Sequence, residues 1–168
     1  MDISDHPPAG EPIQLAPRTP DEPTITVPQP PGWGFMPGKD DTAIRGILFN
    51  QDLRLHGFTP NAVVTLEELT GQAGVPSQAL AKERAAIIDI VGEIDTESPG
   101  TVSGFASRTI EYNLQGRSAT GLIVAVQNAK DRIWAVTVTI QTTDADNPHY
   151  AAAKTSILHS LEVRLPDQ

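Results

Sequence analysis

The sequence predicts an α+β domain, an antiparallel β-sheet with two main helices packed on it. Three observations carry this. The run 132–143 alternates with period two, Trp134, Val136, Val138 and Ile140 against Ala135, Thr137, Thr139 and Gln141, which is the signature of a strand. Two stretches, 78–91 and 148–161, instead carry apolar residues at helical spacing with start and stop signals. Strand segments outnumber helices, and short turns join neighbours, which favours antiparallel pairing.

The bulk numbers agree. A chain of 168 residues with 39% hydrophobic residues can bury one core. Lys and Arg number 12 against 21 Asp and Glu, a formal charge of −9. That charge repels phosphate backbones and anionic lipid surfaces, so nucleic acid is not an expected partner. No run of about 18 apolar residues is present, so no transmembrane segment is expected.

Nine of the fifteen prolines precede residue 32. Proline removes a backbone donor and pushes its predecessor to extended conformations, so residues 1–22 read as a flexible proline-rich tail or tether. Residues 23–168 then form a single globular domain. Its first strand is Thr24–Val27, which Pro28 is expected to end. Pro30-Pro31-Gly32 turns Trp33 inward, and Phe35 follows it as a core plug or ligand wall.

Residues 43–50 and 61–69 are the next strands, with His56 and Phe58 in the loop between them. Pro76 stands where a first helical residue is allowed and Gly92 where a helix stops. The helix 78–91 turns Leu80, Arg84, Ile87, Ile88 and Val91 to one side. Residues 95–101, Asp-Thr-Glu-Ser-Pro-Gly-Thr, read as a loop. Residues 104–114 alternate as a strand and lead into the hairpin 121–143, closed by Asn128-Ala129-Lys130-Asp131. Asn147 caps the last helix, Pro148 opens it, and Tyr150, Ala153, Ile157, Leu158 and Leu161 form its stripe. Val163–Pro166 adds an edge strand or closes the domain. Both helices are expected to roof the oily side of the sheet, leaving the Thr-rich side to water.

Chemistry finds little purchase in the sequence. Cysteine is absent, which excludes disulfides, thiolate nucleophiles and Cys-bound zinc. His6, His56, His149 and His159 form no His-x-x-x-His or Glu-x-x-His pair, so no metal site is expected. Gly116-Arg117-Ser118-Ala119-Thr120-Gly121 has the wrong spacing for a nucleophile elbow. Glu67 and Glu68 are strand neighbours and point to opposite faces, which disqualifies them as an acid–base pair. Dinucleotide and P-loop patterns are missing, so no cofactor is expected. The residues point to a protein that is not an enzyme.

Several segments together resemble the LpqN/LpqT-type lipoproteins of mycobacteria. These are Pro23-Thr24-Ile25-Thr26-Val27-Pro28-Gln29-Pro30-Pro31-Gly32-Trp33, then Glu68-Leu69-Thr70-Gly71 before the first helix, then Gly104-Phe105-Ala106-Ser107. The resemblance spans residues 23–165 and implies a PsbP/Mog1-like fold, an antiparallel sheet with helices. Such proteins are exported and lipid-anchored through a cysteine behind a signal peptide. The acidic start Met1-Asp2-Ile3-Ser4-Asp5 has no apolar h-region, and this sequence has no cysteine. A mature domain read without its leader accounts for both, whereas a natural gene lacking them removes the envelope placement.

The resemblance implies an extracytoplasmic domain, in the cell envelope or secreted, that acts as a non-enzymatic accessory binding lipid or glycolipid or envelope export proteins. An acyl chain needs an apolar groove with a few polar groups at its mouth. Trp33, Phe35, Phe58, Phe105 and Trp134 are the candidate walls, and Arg45 and Arg108 the candidate head-group contacts. Two alternatives stay open. One is a protein–protein adaptor that docks on membrane transport proteins and needs no cavity; the other is an esterase-like hydrolase built from Ser, His and an acid brought together by folding.

Overall fold

A computed structural model describes residues 10–166. The strands are β1 Glu11–Gln14, β2 Thr24–Gln29, β3 Gly34–Pro37, β4 Ile44–Phe49 and β5 Asn61–Glu68. Helix α1, Pro76–Val91, precedes β6 Thr96–Val102, β7 Phe105–Leu114, β8 Arg117–Gln127 and β9 Ile133–Thr142. Helix α2, Pro148–Ser160, and β10, Glu162–Arg164, end the chain. The large sheet has seven antiparallel strands in the order β3-β4-β5-β9-β8-β7-β6. A smaller antiparallel sheet runs β1-β2-β10. The expected α+β class is what the chain adopts.

Local chemistry sets the elements. Pro76 opens α1, and Gly92, at φ 87°, stops it with its N–H on the carbonyl of Ile88. The Asn147 side chain accepts from the backbone N–H of His149 and Tyr150, 2.9 and 3.3 Å, at the start of α2. In the β8–β9 turn the Asn128 side chain accepts from the N–H groups of Lys130 and Arg132, which lets Asp131 take φ 63°.

The helices do not share a face. Trp134, Val136, Val138 and Ile140 of β9 join Leu122, Val124 and Val126 of β8, Ala62, Val64 and Leu66 of β5, and α2 with the small sheet, in one core cluster. The opposite face carries Ala119, Ile123 and Ala125 of β8, Ile110 and Tyr112 of β7, and Ile133 and Ala135 of β9, covered by Ala79 and Leu80 of α1. The sheet is thus sandwiched. The expectation of a common roof fails because β8 is apolar on both sides, from Leu122 to Val126, and needs a layer on each.

Four further segments differ from the sequence reading. Gly34–Pro37, expected only as a plug after the Trp33 turn, is strand β3, paired with β4. Residues 10–22, expected as a free arm, carry β1, which pairs with β2, and they bury Leu15 and Glu22. Pro12 sits opposite Pro28 on an edge strand, where a missing donor is tolerated. Residues 1–9 of that arm lie outside the described residues. Strand β2 runs past Pro28 to Gln29, because β10 borders it only from Thr24 to Thr26. The expected loop 95–101 is largely the edge strand β6, held by β7, with Pro99 opposite Arg108. Among the described residues no helix is long and apolar enough to cross a membrane.

Candidate functional site

Helix α2 presents His149, Ala152, Ala153 and Ser156, at spacings of three, four and seven, along one stripe. This stripe faces the turn Pro30–Trp33 and the short 3₁₀ turn Gln51–Leu53 that follows β4. Two alanines where a helix could carry bulk leave a cleft of about 480 Å³. Pro30, Pro31, Trp33, Leu53 and the alanines line it, and Asn50, Asp52, His149 and Ser156 supply its polar atoms.

Trp33 is 4% exposed. Its N–H donates to the carbonyl of Pro30 at 3.0 Å, and its carbonyl accepts from Gln29 Nε2 at 2.8 Å. Asn50 is buried and accepts from the N–H of Asp52, which fixes the opposite wall. The result is an apolar slot with a small polar rim, within the usual volume range of ligand sites.

This cleft also brings a serine, a histidine and an acid together. Ser156 and His149 are seven residues apart on one helix, about 10 Å of rise, too far for a nucleophile to share a proton with its base.

A second cleft, about 680 Å³, lies where the segment Gln14–Arg18 crosses β3 and β4, and Phe35 and Arg45 line it. The ring of Phe35 rests over Gly46, whose missing side chain makes that approach possible. Ile44 pairs with Thr65 and Gly46 with Val64, so Arg45 is the extra residue of a bulge. The bulge aims Arg45 at Glu22, an ion pair with side chains 11% and 4% exposed. Burial alone would raise the Glu22 pKa. Hydrogen bonds from Arg45, the Arg18 backbone and Thr19, with the Arg45 charge, outweigh it and hold the carboxyl below its ordinary range. Arg45 is therefore neutralised within the fold. Arg18 beside it donates to the carbonyls of Lys39, Asp40, Thr42 and Ile44.

The other expected wall and head-group residues are dispersed. Trp134 is 2% exposed, in the core cluster that also holds Trp33, and Phe105 packs against that cluster. The Arg132 guanidinium lies over the Trp134 ring at 5.0 Å. Phe58 is on the β4–β5 loop with Arg117 4.8 Å above its ring. Arg108 pairs with Glu97 at 3.1 Å, shared with Arg84 of α1. Of the five aromatic residues, Trp33 lines one of the clefts described above and Phe35 the other. Asn50, Asp52, Leu53 and Ala152 were not read from the sequence; the small-residue stripe on α2 is a signal that could have found Ala152, whereas Asn50, Asp52 and Leu53 join the cleft only through the fold. Among the described residues no group of three or more His, Asp or Glu is placed to hold a metal.

The fold has a counterpart in the crystal structure of Mycobacterium tuberculosis LpqN, described as involved in cell envelope biogenesis. The TM-score is 0.73 at 18% identity, over 92% of this chain and 91% of that one. A Pseudomonas aeruginosa protein of unknown function aligns at TM-score 0.48 and 15% identity, over 89% of this chain and 95% of that one. A Bacteroides thetaiotaomicron protein aligns at 0.45 and 11% identity, over 87% of this chain and 49% of that one. Similarity at that level carries no argument. No curated protein sequence matches the chain. The family model described as probable lipoprotein LpqN matches residues 10–164, which bears out the resemblance read from the three sequence segments. The chain belongs to the LpqN family of probable lipoproteins.

Proposed function

We propose that this domain is a non-enzymatic accessory of the cell envelope that holds an amphiphile in the cleft beside α2. The acyl chain lies against Trp33, Leu53 and the alanine pair, and the polar head meets Asn50, Asp52 and His149. One observation carries the reading: an apolar slot of about 480 Å³ with its polar groups gathered in few places. The lipoprotein family and the envelope role of M. tuberculosis LpqN support the compartment. The head group falls to neutral and acidic side chains and one imidazole, since Arg45 and Arg108 are already paired. A sugar head group suits such a rim better than a phosphate does.

Native mass spectrometry with a synthetic single-chain trehalose glycolipid tests this. One bound lipid per chain is expected, and Ala152→Trp, which fills the slot from a half-buried position, is expected to weaken binding about tenfold or more, about 1.4 kcal/mol. No mass shift, or binding indifferent to that substitution, overturns the proposal.

A further inference from the structure

Helix α1 covers only part of its face of the large sheet. It packs on β7, β8 and β9, where Gly121 receives the tip of Ile87. Among the described residues the rest of that face, over β3, β4 and β5, has no layer. Register places Met36, Ile47, Val63 and Thr139 in one row across it, with Phe49 and Asn61 in the next. Met36 is 48% exposed, and Ile47, Phe49 and Val63 are half-buried. None of these four belongs to either core cluster or packs against one. On the same two strands the inward residues Leu48, Ala62 and Val64 are fully buried, so the outer residues are not spillover from a crowded core. A row of large apolar side chains on a sheet face is ordinarily a surface awaiting a cover.

The ends of this trough differ in charge. At one end Glu67 of β5 faces Glu83 of α1. Neither forms a salt bridge among the described residues, and Lys82 is the cation in electrostatic range of Glu83. Burial first, and then the Glu67 charge, raise the Glu83 pKa, with Lys82 opposing them, so two carboxyl groups meet at this end of the trough. At the other end Arg117 projects from β8 on the same face, hydrogen-bonded to Gln141 at 3.0 Å and lying over Phe58.

We propose that the uncovered half of this face, beside α1, is the docking surface for an amphipathic helix of a partner protein, basic toward its N-terminus. Dimensions fit one helix. Asn61 to Glu67 spans about 20 Å at ~3.4 Å per residue, the length of about 13 helical residues at ~1.5 Å each. Three strands span about 10 Å at ~4.8 Å per step, close to a helix diameter of ~10 Å. Charge selects the occupant. Cationic side chains and the positive end of a helix dipole match Glu67 and Glu83, and the helix C-terminus meets Arg117. A second copy, at a formal −9, and an anionic membrane are both repelled. The surface lies on the side of the sheet opposite α2, so it stands apart from the amphiphile cleft.

The test uses the whole chain and two fluorescent 14-residue peptides of one Leu/Lys composition. One places leucines at i, i+3, i+4 and i+7 with lysines toward its N-terminus; the other is scrambled. Anisotropy is expected to show the ordered peptide binding about tenfold or more tighter than the scrambled one. Val63→Asp and Met36→Ser should each weaken it, the second at a residue exposed enough to leave the fold intact. The pair Glu67→Gln and Glu83→Gln should cost about threefold and flatten the salt dependence. Ala152→Trp should change nothing, which separates this surface from the lipid cleft. Equal binding of the two peptides, or indifference to Val63→Asp and Met36→Ser, overturns the proposal. So does a wild-type dimer in sedimentation that Val63→Asp splits, or tighter binding to phosphatidylglycerol vesicles than to the ordered peptide.

Discussion

Arg45 leaves the bulge of β4 and donates from both terminal nitrogens to the carboxylate of Glu22, with Nη2–Oε1 at 3.2 Å. This pair ties the large sheet to the segment entering β2. A carboxyl with a depressed folded pKa stabilises the fold above its ordinary pKa, and that stability is lost as pH falls through the folded value. Denaturant unfolding from about pH 7 down to about pH 3 is therefore expected to show an acid-side loss that Glu22→Gln reduces. At neutral pH, Glu22→Ala leaves a buried guanidinium uncompensated and is expected to cost about 3 kcal/mol. A loss below about 0.5 kcal/mol, the range of ordinary surface substitutions, would show that Arg45 finds water instead.

Phe35 crosses Gly46, and a Cβ at Gly46 would lie 2.8 Å from the ring and 3.2 Å from Leu15 Cδ2. Gly46→Ala must push one of them aside, at about 1–3 kcal/mol. In a Phe35→Ala background most of that cost should vanish, which a double-mutant cycle measures as coupling. Additive effects would place the ring elsewhere.

Asn147 satisfies two backbone donors at the start of α2, the helix that walls the cleft beside Trp33. Asn147→Ala is expected to cost about 1 kcal/mol in chemical denaturation. Asn147→Asp, which keeps the acceptor, should recover most of it. Failure of the aspartate to rescue would mean that the loop conformation, not the cap, matters.

The placement of α1 makes two isoleucines opposite in consequence. Ile123 is fully buried beneath it and Ile90 is 73% exposed on it. Ile123→Ala should cost about 2–5 kcal/mol, and Ile90→Lys should stay within about 0.5 kcal/mol of wild type. Thermal melts with matched denaturant series decide this. A comparable loss for both would move the helix face.

Much of the fold could be read along the chain because its causes are local. Pro76 and Gly92 bracket α1, Asn147 and Pro148 open α2, and the alternation of β9 falls in register as expected. The site was less legible. Trp33 was found, but the slot beside it depends on Ala152 and Asn50, 102 residues apart in the chain and brought together when α2 packs against the Pro30–Trp33 turn.

By itself the sequence determined the order of the two helices and of strands β2, β4, β5, β7, β8 and β9, the caps, the antiparallel class and, through three short segments, the family. Only the tertiary structure decided which helix covers which face, and that β1, β3 and β6 are strands at all. An apolar stripe states that a helix needs a cover without saying which one. Proline-bearing, weakly strand-forming segments become strands because a neighbour offers unpaired backbone groups: β2 does this for Glu11–Gln14, and β7 for Thr96–Val102. Those partners exist only once the chain has folded.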